Sequence, residues 1–473
     1  MIGNLKPYSA YKDSGVPWLG EVPEHWDVLP SRALFFEIKD RNHPDEEMLS
    51  VTISKGVVRQ SNLLSNTSKK DSSNEDKTKY KLVRPGDIAY NKMRAWQGAV
   101  GASKFFGIVS PAYIVVRPRD KHNPRFFHYL LRTPAFAKEA ERWSYGITSD
   151  QWSLRPEHFK MVYCCCPPVP EQAQIATFLD HADRRIRRYI RSKQKLIKLL
   201  EEQKQVVINQ AVTRGLDPNV PLKPSGIEWL GDIPAHWELK RFKFLGRVTS
   251  GQVDPRKPEH KNRILIAPNH IWSRSGEIRY IETAEEQGAD SGKYEVRKGE
   301  IIYSKIRPNL RKATIAHFDC LCSADMYPIK VRENEIKAGY FLRILLSEPF
   351  TRYAIDCSMR VAMPKLNREA LGECWIWYPD LKEQEEILTS IDSSIKPFLA
   401  VIEHAQREID LLQEFRTRLI TDVVTGKLDV REAAAHLPAE PDNLEPLEDD
   451  LPDPALDPDA DSDLDAVVED EAA

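Results

Sequence analysis

The hydrophobic pattern of the chain changes period twice, in the same order each time. Runs such as Leu49-Ser-Val-Thr-Ile53, Gly86-Asp-Ile-Ala-Tyr90 and Ala112-Tyr-Ile-Val-Val-Arg117, separated by Gly, Pro and Asn turns, predict the short strands of a mixed globular domain. Phe126 to Pro134 and Tyr340 to Pro349 then place apolar residues on one helical face for about two turns and stop at a proline. Beyond Cys166-Pro-Pro-Val-Pro-Glu-Gln172 and Tyr378-Pro-Asp-Leu-Lys-Glu-Gln384 the period becomes that of a long helix.

A heptad seam marks each long helix. Ile175, Leu179, Ile186, Leu196, Leu200 and Val207 lie on the first, and Ile387, Ile391, Phe398, Val401, Leu412, Phe415 and Leu419 on the second. Lys193, Gln203 and Glu408 interrupt the seams with polar groups able to fix register. Pro397 removes a backbone donor and predicts a bend. An apolar stripe of this length needs a partner, and antiparallel pairing of the two helices within the chain supplies one. That arrangement would set the two globules at opposite ends of a rod of roughly 50 Å, from about 35 residues at ~1.5 Å each.

The repetition is also explicit in the letters. Ser14 to Asp27, SGVPWLGEVPEHWD, returns as Ser225 to Glu238, SGIEWLGDIPAHWE, with eight of fourteen positions identical at an offset of 211. Arg84 to Arg94 matches Arg297 to Arg307 at 213, and Glu171-Gln172 matches Glu383-Gln384 at 212. A near-constant offset over so long a stretch means that a whole unit was duplicated. The expected organisation is a globule at 1–168, a helix at 169–213, a second globule at 214–380, a second helix at 381–426 and a tail at 436–473. The fold class is α+β, with two mixed α/β domains and an antiparallel pair of long helices.

Charge adds a partner class. The net charge is -3, but from His436 onward there are 15 Asp or Glu and no Lys or Arg. Removing those from the 71 acidic residues leaves 56 against 68 basic in 1–435, a net of +12. A basic body fits a polyanion such as nucleic acid, while the Asp-, Glu- and Pro-rich tail has the composition of disorder. The tail is a candidate competitor for the basic face, or a solubilising segment. No apolar run is long enough to span a membrane and the N-terminus lacks a signal-peptide pattern, so a cytoplasmic location is expected. The seven cysteines, at 164, 165, 166, 320, 322, 357 and 374, show no zinc-ligand spacing and read as reduced structural thiols.

These segments carry a family resemblance. The twofold SGxxWLGxxPxHW, the GDxxYxKxR and GExxYxKxR pair, the Pro-bounded Glu-Gln helix starts and the closing Leu419 to Asp429 resemble the specificity subunit of type I restriction-modification enzymes, over residues 8 to about 432. The resemblance implies two target recognition domains, each reading one half of a split, asymmetric double-stranded DNA site, and a helical spacer that docks two methyltransferase subunits. It further implies S-adenosylmethionine on those partners rather than here, two restriction-translocation subunits joining the complex, and no catalysis by the subunit alone.

Candidate DNA-contacting residues follow the repeated strands. In copy one they are Lys92, Arg94, Trp96, Gln97, Thr148, Ser149, Gln151 and Arg155. In copy two they are Lys305, Arg307, Asn309, Arg311, Lys312, Arg360, Lys365, Asn367 and Arg368. Arg pairs with guanine edges and Asn or Gln with adenine edges, whereas Lys chiefly positions the backbone. The residues that recur, Lys92/Lys305 and Arg94/Arg307, are assigned to phosphates and the divergent ones to bases.

Catalytic signals are sparse. Thr425-Gly-Lys-Leu428 lacks the upstream glycine and following hydroxyl of a phosphate loop. No methyltransferase motif is present, and the Glu-x-Lys triplets at Glu37, Glu75 and Glu335 are read as solvated charge. A self-contained metal-dependent nuclease and a coiled-coil interaction rod without a DNA role remain the alternatives. His25 and His236, each followed by Trp, are read with Trp18/Trp229, Leu19/Leu230 and Pro23/Pro234 as a strap over the junction of globule and helix.

Overall fold

The computed structural model describes residues 5–64, 76–119, 121–146, 152–358 and 364–437. The chain forms two compact units: unit one is Met1–Gln194 with Gln406–Ala473, and unit two is Lys195–Ala405. The boundaries fall within the two long helices, Val169–Arg214 and Leu381–Val424. Each unit therefore takes a length of both helices, which the division into globules and helices expected from sequence does not describe.

Both units are built on the same antiparallel sheet. In unit one the strand order is Phe35–Ile38, Tyr113–Pro118, Ile88–Asn91, Val100–Ala102; in unit two it is Gly246–Val248, Met326–Val331, Ile301–Ser304, Ala313–Ile315. The repeated GD/GE segment makes the turn entering the third strand of this order. Gly86 and Gly299 adopt φ of 92° and 89°, and Asp87 and Glu300 accept the backbone N–H of Arg84 and Arg297 at 2.9 and 3.0 Å. A second shared pair joins Asp27–Pro30 to Tyr163–Cys166, and Glu238–Arg241 to Trp375–Tyr378.

The units differ in what is added to this frame. Unit one carries the hairpin Leu49–Thr52/Gly56–Arg59 and the pair Lys81–Val83/Gly107–Val109. Unit two instead carries a sheet of Gln252–Val253, Lys293–Val296, Cys320–Cys322 and Leu265–Ile266, its last pairing parallel. Two of the prolines expected to end helices begin new ones. Pro134 opens Pro134–Arg142, where its missing N–H costs nothing and Thr133 caps Phe136 N; Pro349 lies in the first turn of Glu348–Ser358.

Within unit one the helix lengths run antiparallel, since Asp183 meets Arg416 and Lys193 meets Glu408 at 2.5 Å. The polar interruptions at 193 and 408 thus face each other. In unit two, Ile208, Ala211 and Val212 share a core with Ile387, Ile391 and Ile395. The buried stripe departs from the heptad seam. Ile175, Leu179 and Ile186 are buried as expected, but Ile190 replaces Tyr189, and Lys204 and Ile208 replace Gln203 and Val207. On the second helix Ile395 and Ile409 are buried instead of Ser394 and Glu408. Leu196, Val401 and Phe415, assigned to packing, are 37%, 46% and 41% exposed. Further along the second helix Ala405 and Leu419 are buried on the predicted seam, so the displacement is local rather than a steady drift. At Pro397 the helix continues.

The strap residues close each unit. Glu171, in the first turn of the first long helix, accepts from the Tyr8 hydroxyl at 2.7 Å and Trp26 Nε1 at 3.0 Å, and pairs with His25 Nε2 at 2.8 Å. Glu383 repeats this with Trp237 Nε1 at 3.0 Å and His236 Nε2 at 2.7 Å. Neighbouring Gln172 and Gln384 are fully buried; they accept from Asn123 N and Lys337 N, and donate to the carbonyls of Pro167 and Pro379. The phosphate-loop near miss is a helix stop: Gly426, at φ 82°, lies against Pro23 and Trp26.

Glu171→Ala should destabilise the protein by about 2–4 kcal/mol, because the buried Tyr8 hydroxyl and Trp26 N–H are left without their acceptor; Glu383, more exposed, should cost less when replaced. Equilibrium urea unfolding checks both. Gly426→Ala, whose Cβ would lie 2.3 Å from Pro23 Cδ, should cost about 2–4 kcal/mol, against about 1 for Gly15→Ala, which also has a positive φ, 66° against 82°, but open space.

Candidate nucleic-acid interface

In each unit one backbone hydrogen bond joins the two segments that carry the candidate DNA-contacting residues. Leu154 N donates to Lys92 O at 2.8 Å in unit one, and Leu366 N to Lys305 O at 2.8 Å in unit two. The first brings 92–97 beside Arg155, and the second brings 305–312 beside 365–368. Thr148, Ser149, Gln151 and Arg360 lie outside the described residues.

Unit one presents a short helical turn, Ala95–Gln97, with Trp96 Nε1 bonded to Met93 O and its ring packed edge-on to Trp152 at 5.5 Å. Gln97 and Arg155 are exposed, and Arg94 reaches Gln97 Oε1 at 3.5 Å. Trp152 went unremarked in the sequence, because nothing there places it against Trp96.

Unit two presents the turn Pro308–Leu310, flanked by Arg307 and Arg311 in the left-handed region at φ 48° and 50°. Arg307 and Asn309 are exposed, as are Lys365, Asn367 and Arg368. Arg311 is not: it is 8% exposed and its guanidinium is paired with Glu348, which withdraws it from solvent and from any base edge. Lys305 is partly withdrawn too, its Nζ donating to Ala324 O at 2.5 Å. Asn367 caps the helix Arg368–Glu373 by accepting Ala370 N at 2.7 Å, so its amide oxygen is engaged. Arg368 lies over the rings of Tyr294 and Tyr327 at 5.6 and 5.5 Å. Lys312 is half-buried beside the turn.

A further exposed group adjoins the Pro308 turn through Arg274 N, which donates to Arg311 O at 3.1 Å. Trp272 is 50% and Tyr280 39% exposed; the Arg279 guanidinium lies 4.7 Å from the Trp272 ring, and Asn269 Nδ2 donates to Tyr280 OH at 2.8 Å. An exposed arginine held over an aromatic ring suits pairing with a phosphate. This cluster lies in a stretch without a counterpart in copy one, so the repeat could not reveal it.

Among the described residues no group of three or more His, Cys, Asp or Glu is placed to hold a metal, and no helix is long and apolar enough to cross a membrane. All seven cysteines are free, and burial pushes the Cys164, Cys166 and Cys320 thiols up to about 12. The Glu-x-Lys acids serve elsewhere: Glu335 holds Lys240 at 2.6 Å, Glu37 lies near Lys39 and Lys160, and Glu75 is outside the described residues.

Arg311→Ala should lower stability by about 1–3 kcal/mol by removing a buried side chain together with its charge-assisted bond to Glu348, whereas Arg307→Ala, at an exposed position, should stay within about 0.5 kcal/mol. Thermal unfolding of the two variants side by side checks the contrast.

Comparison with known proteins agrees with this architecture. Residues 234–411 match the family described as type I restriction modification DNA specificity domain. The type I restriction enzyme EcoDI specificity subunit of Escherichia coli is 40% identical over 163 residues, which is 34% of this chain and 36% of that protein. The matched stretch thus spans about a third of the relative's length. A solved structure described as the structural basis of complex assembly and conformational transition of the type I R-M system shares the fold, with a TM-score of 0.59 and 14% identity over 86% of this chain and 99% of that one. Residues 234–411 thus match a type I restriction modification DNA specificity domain, and copy one repeats that unit at a near-constant offset within the same fold.

Proposed function

We propose that this chain reads a split, asymmetric site on double-stranded DNA, one unit per half-site, as the non-catalytic subunit of a cytoplasmic type I complex. The observation that carries this reading is the shared bond, Leu154 N to Lys92 O and Leu366 N to Lys305 O, which presents chemically different loops from one framework. Identical frames with unlike readers suit two unlike half-sites. Trp96, Gln97 and Arg155 would act in the first, with Thr148, Ser149 and Gln151, which lie outside the described residues, as further candidates. Arg307, Asn309, Lys365 and Arg368 would act in the second, joined by Trp272 and Arg279. Arg94 and Arg307 are assigned to phosphates.

The second part of the reading is assembly. Two methyltransferase subunits, carrying S-adenosylmethionine, and two restriction-translocation subunits are the proposed partners. Tyr189, Leu411 and Phe415 are 56%, 65% and 41% exposed and line one groove of unit one with Lys193, Glu408 and Leu412. Apolar helix surface left this open favours a protein partner.

Replacing Arg94, Arg155, Arg307 and Lys365 together by Ala should weaken binding to all duplexes. The slope of log affinity against log salt should become shallower by about 0.9 for each phosphate that the variant no longer neutralises. Unchanged affinity and slope would reject the DNA reading. Leu411→Asp with Phe415→Asp should leave DNA binding intact and abolish co-purification of the methyltransferase subunit.

A further inference from the structure

A groove of about 530 Å³ runs along Gly246–Val248, the edge strand of the shared sheet in unit two. Five cationic side chains line it: Lys243, Arg247, Lys330, Arg332 and Arg368. Lys243 is paired with Glu373, and Arg368 donates to Thr249 O and Tyr294 OH, each at 3.3 Å. Arg247 and Lys330 are exposed, and neither has a hydrogen bond, ion pair or ring contact among the described residues. The strand register sets these two directly opposite each other. Like charges in that relation repel and lower the stability of the sheet.

The duplication supplies an internal control for that pair. Ile88 and Ile301, equivalent in the repeated segments, are opposite Val116 and Ile329, so Arg117 and Lys330 hold one place in the frame and their cross-strand partners Phe36 and Arg247 another. In unit one Arg117 donates to Asp87 at 2.6 and 3.0 Å, and Glu37 pairs with Lys160 at 3.7 Å. In unit two Val248 stands at the place of Glu37, and counting back from the matching bonds Ser31 N to Val162 O and Phe242 N to Cys374 O sets Gly372 at the place of Lys160. The corresponding cavity of unit one holds only about 10 Å³. A frame that folds with Phe36 and a neutralised Arg117 does not require Arg247 beside a bare Lys330, and their repulsion calls for another explanation.

We propose that this groove holds the sugar-phosphate backbone of the duplex that unit two reads, with Arg247 and Lys330 each neutralising a phosphate. The inference rests on the DNA reading above and adds to it a sequence-independent anchor that unit one lacks. Continuity favours DNA over an acidic protein surface: Arg368 lines the groove and also belongs to the segment that the Leu366 N to Lys305 O bond holds beside the Pro308 turn. A backbone lying in the groove would therefore pass directly to the candidate base-reading residues. Phosphate contacts of this kind fix position and supply affinity without carrying sequence information.

The test titrates the full chain with labelled duplexes of several sequences over a range of salt, read by fluorescence anisotropy. Arg247→Ala with Lys330→Ala should weaken binding to every duplex about tenfold in low salt and make the slope of log affinity against log salt shallower by about 1.8, at ~0.9 per phosphate. Preference among sequences should be unchanged, and the melting temperature should hold or rise as the opposed charges are removed. Lys382→Ala with Lys396→Ala, an equal loss of charge from exposed positions of the second long helix, should leave affinity and slope as they were. Parental affinity and slope in the Arg247/Lys330 variant, or an equal effect of the Lys382/Lys396 variant, overturns the groove while leaving the DNA reading in place. Failure of the unsubstituted chain to bind any duplex overturns both. An Arg247/Lys330 variant that binds DNA like its parent but loses a partner subunit on co-purification assigns the groove to protein and also overturns the proposal.

Discussion

The structure depends on one corner, made twice, where a long helix leaves its globule. Glu171 and Glu383 each gather a tryptophan N–H and a histidine, and the glutamine that follows each bonds back to the globule's own backbone. A buried carboxylate is costly unless its lone pairs are filled, and here the strap fills them. Glu171 also accepts the Tyr8 hydroxyl, whose own ionisation is pushed upward by burial and by that carboxylate. The acidic group at the helix N-terminus is favoured further by the helix dipole. Helix direction is thereby tied to the sheet, and everything displayed along the helix inherits its position from this junction.

The same frame tolerates very different additions. A four-stranded sheet of identical order underlies both units, yet one adds two small antiparallel pairs and the other a sheet with a parallel pairing. What is shared is turn geometry, core aromatics and corner bonds; what differs is the rim.

The long helices illustrate how a period misleads by small increments. A strict heptad describes the stripe near Ile175 and Ile387, is displaced by one residue at Ile190 and Ile395, and holds again at Ala405 and Leu419. Lys193 and Glu408 lie on the predicted seam and meet as an ion pair. Tyr189 and Phe415, on the same seam, are left facing solvent. A polar pair tolerates the rim of a helix interface, while aromatic rings there become surface for something else to cover.

Much was legible in the letters, because duplication repeats whatever the frame cannot change. Gly86 and Gly299 at positive φ, the Glu-Gln starts and the tryptophan strap all recur since each meets a local requirement of backbone or buried polar group. The strands near residues 50, 90 and 115 and the two long helices follow from period alone. Tertiary structure decided what local pattern does not encode. It paired residues 92 with 154 and 305 with 366, set Trp96 on Trp152, buried Arg311 against Glu348 and assigned Asn367 to a cap. It also gathered six cations from five separate stretches of chain, at 55, 104, 125–132, 187 and 416, around one cavity. Exposure and ion pairing are properties of the folded surface, so residue type named the candidates for contact while packing chose among them.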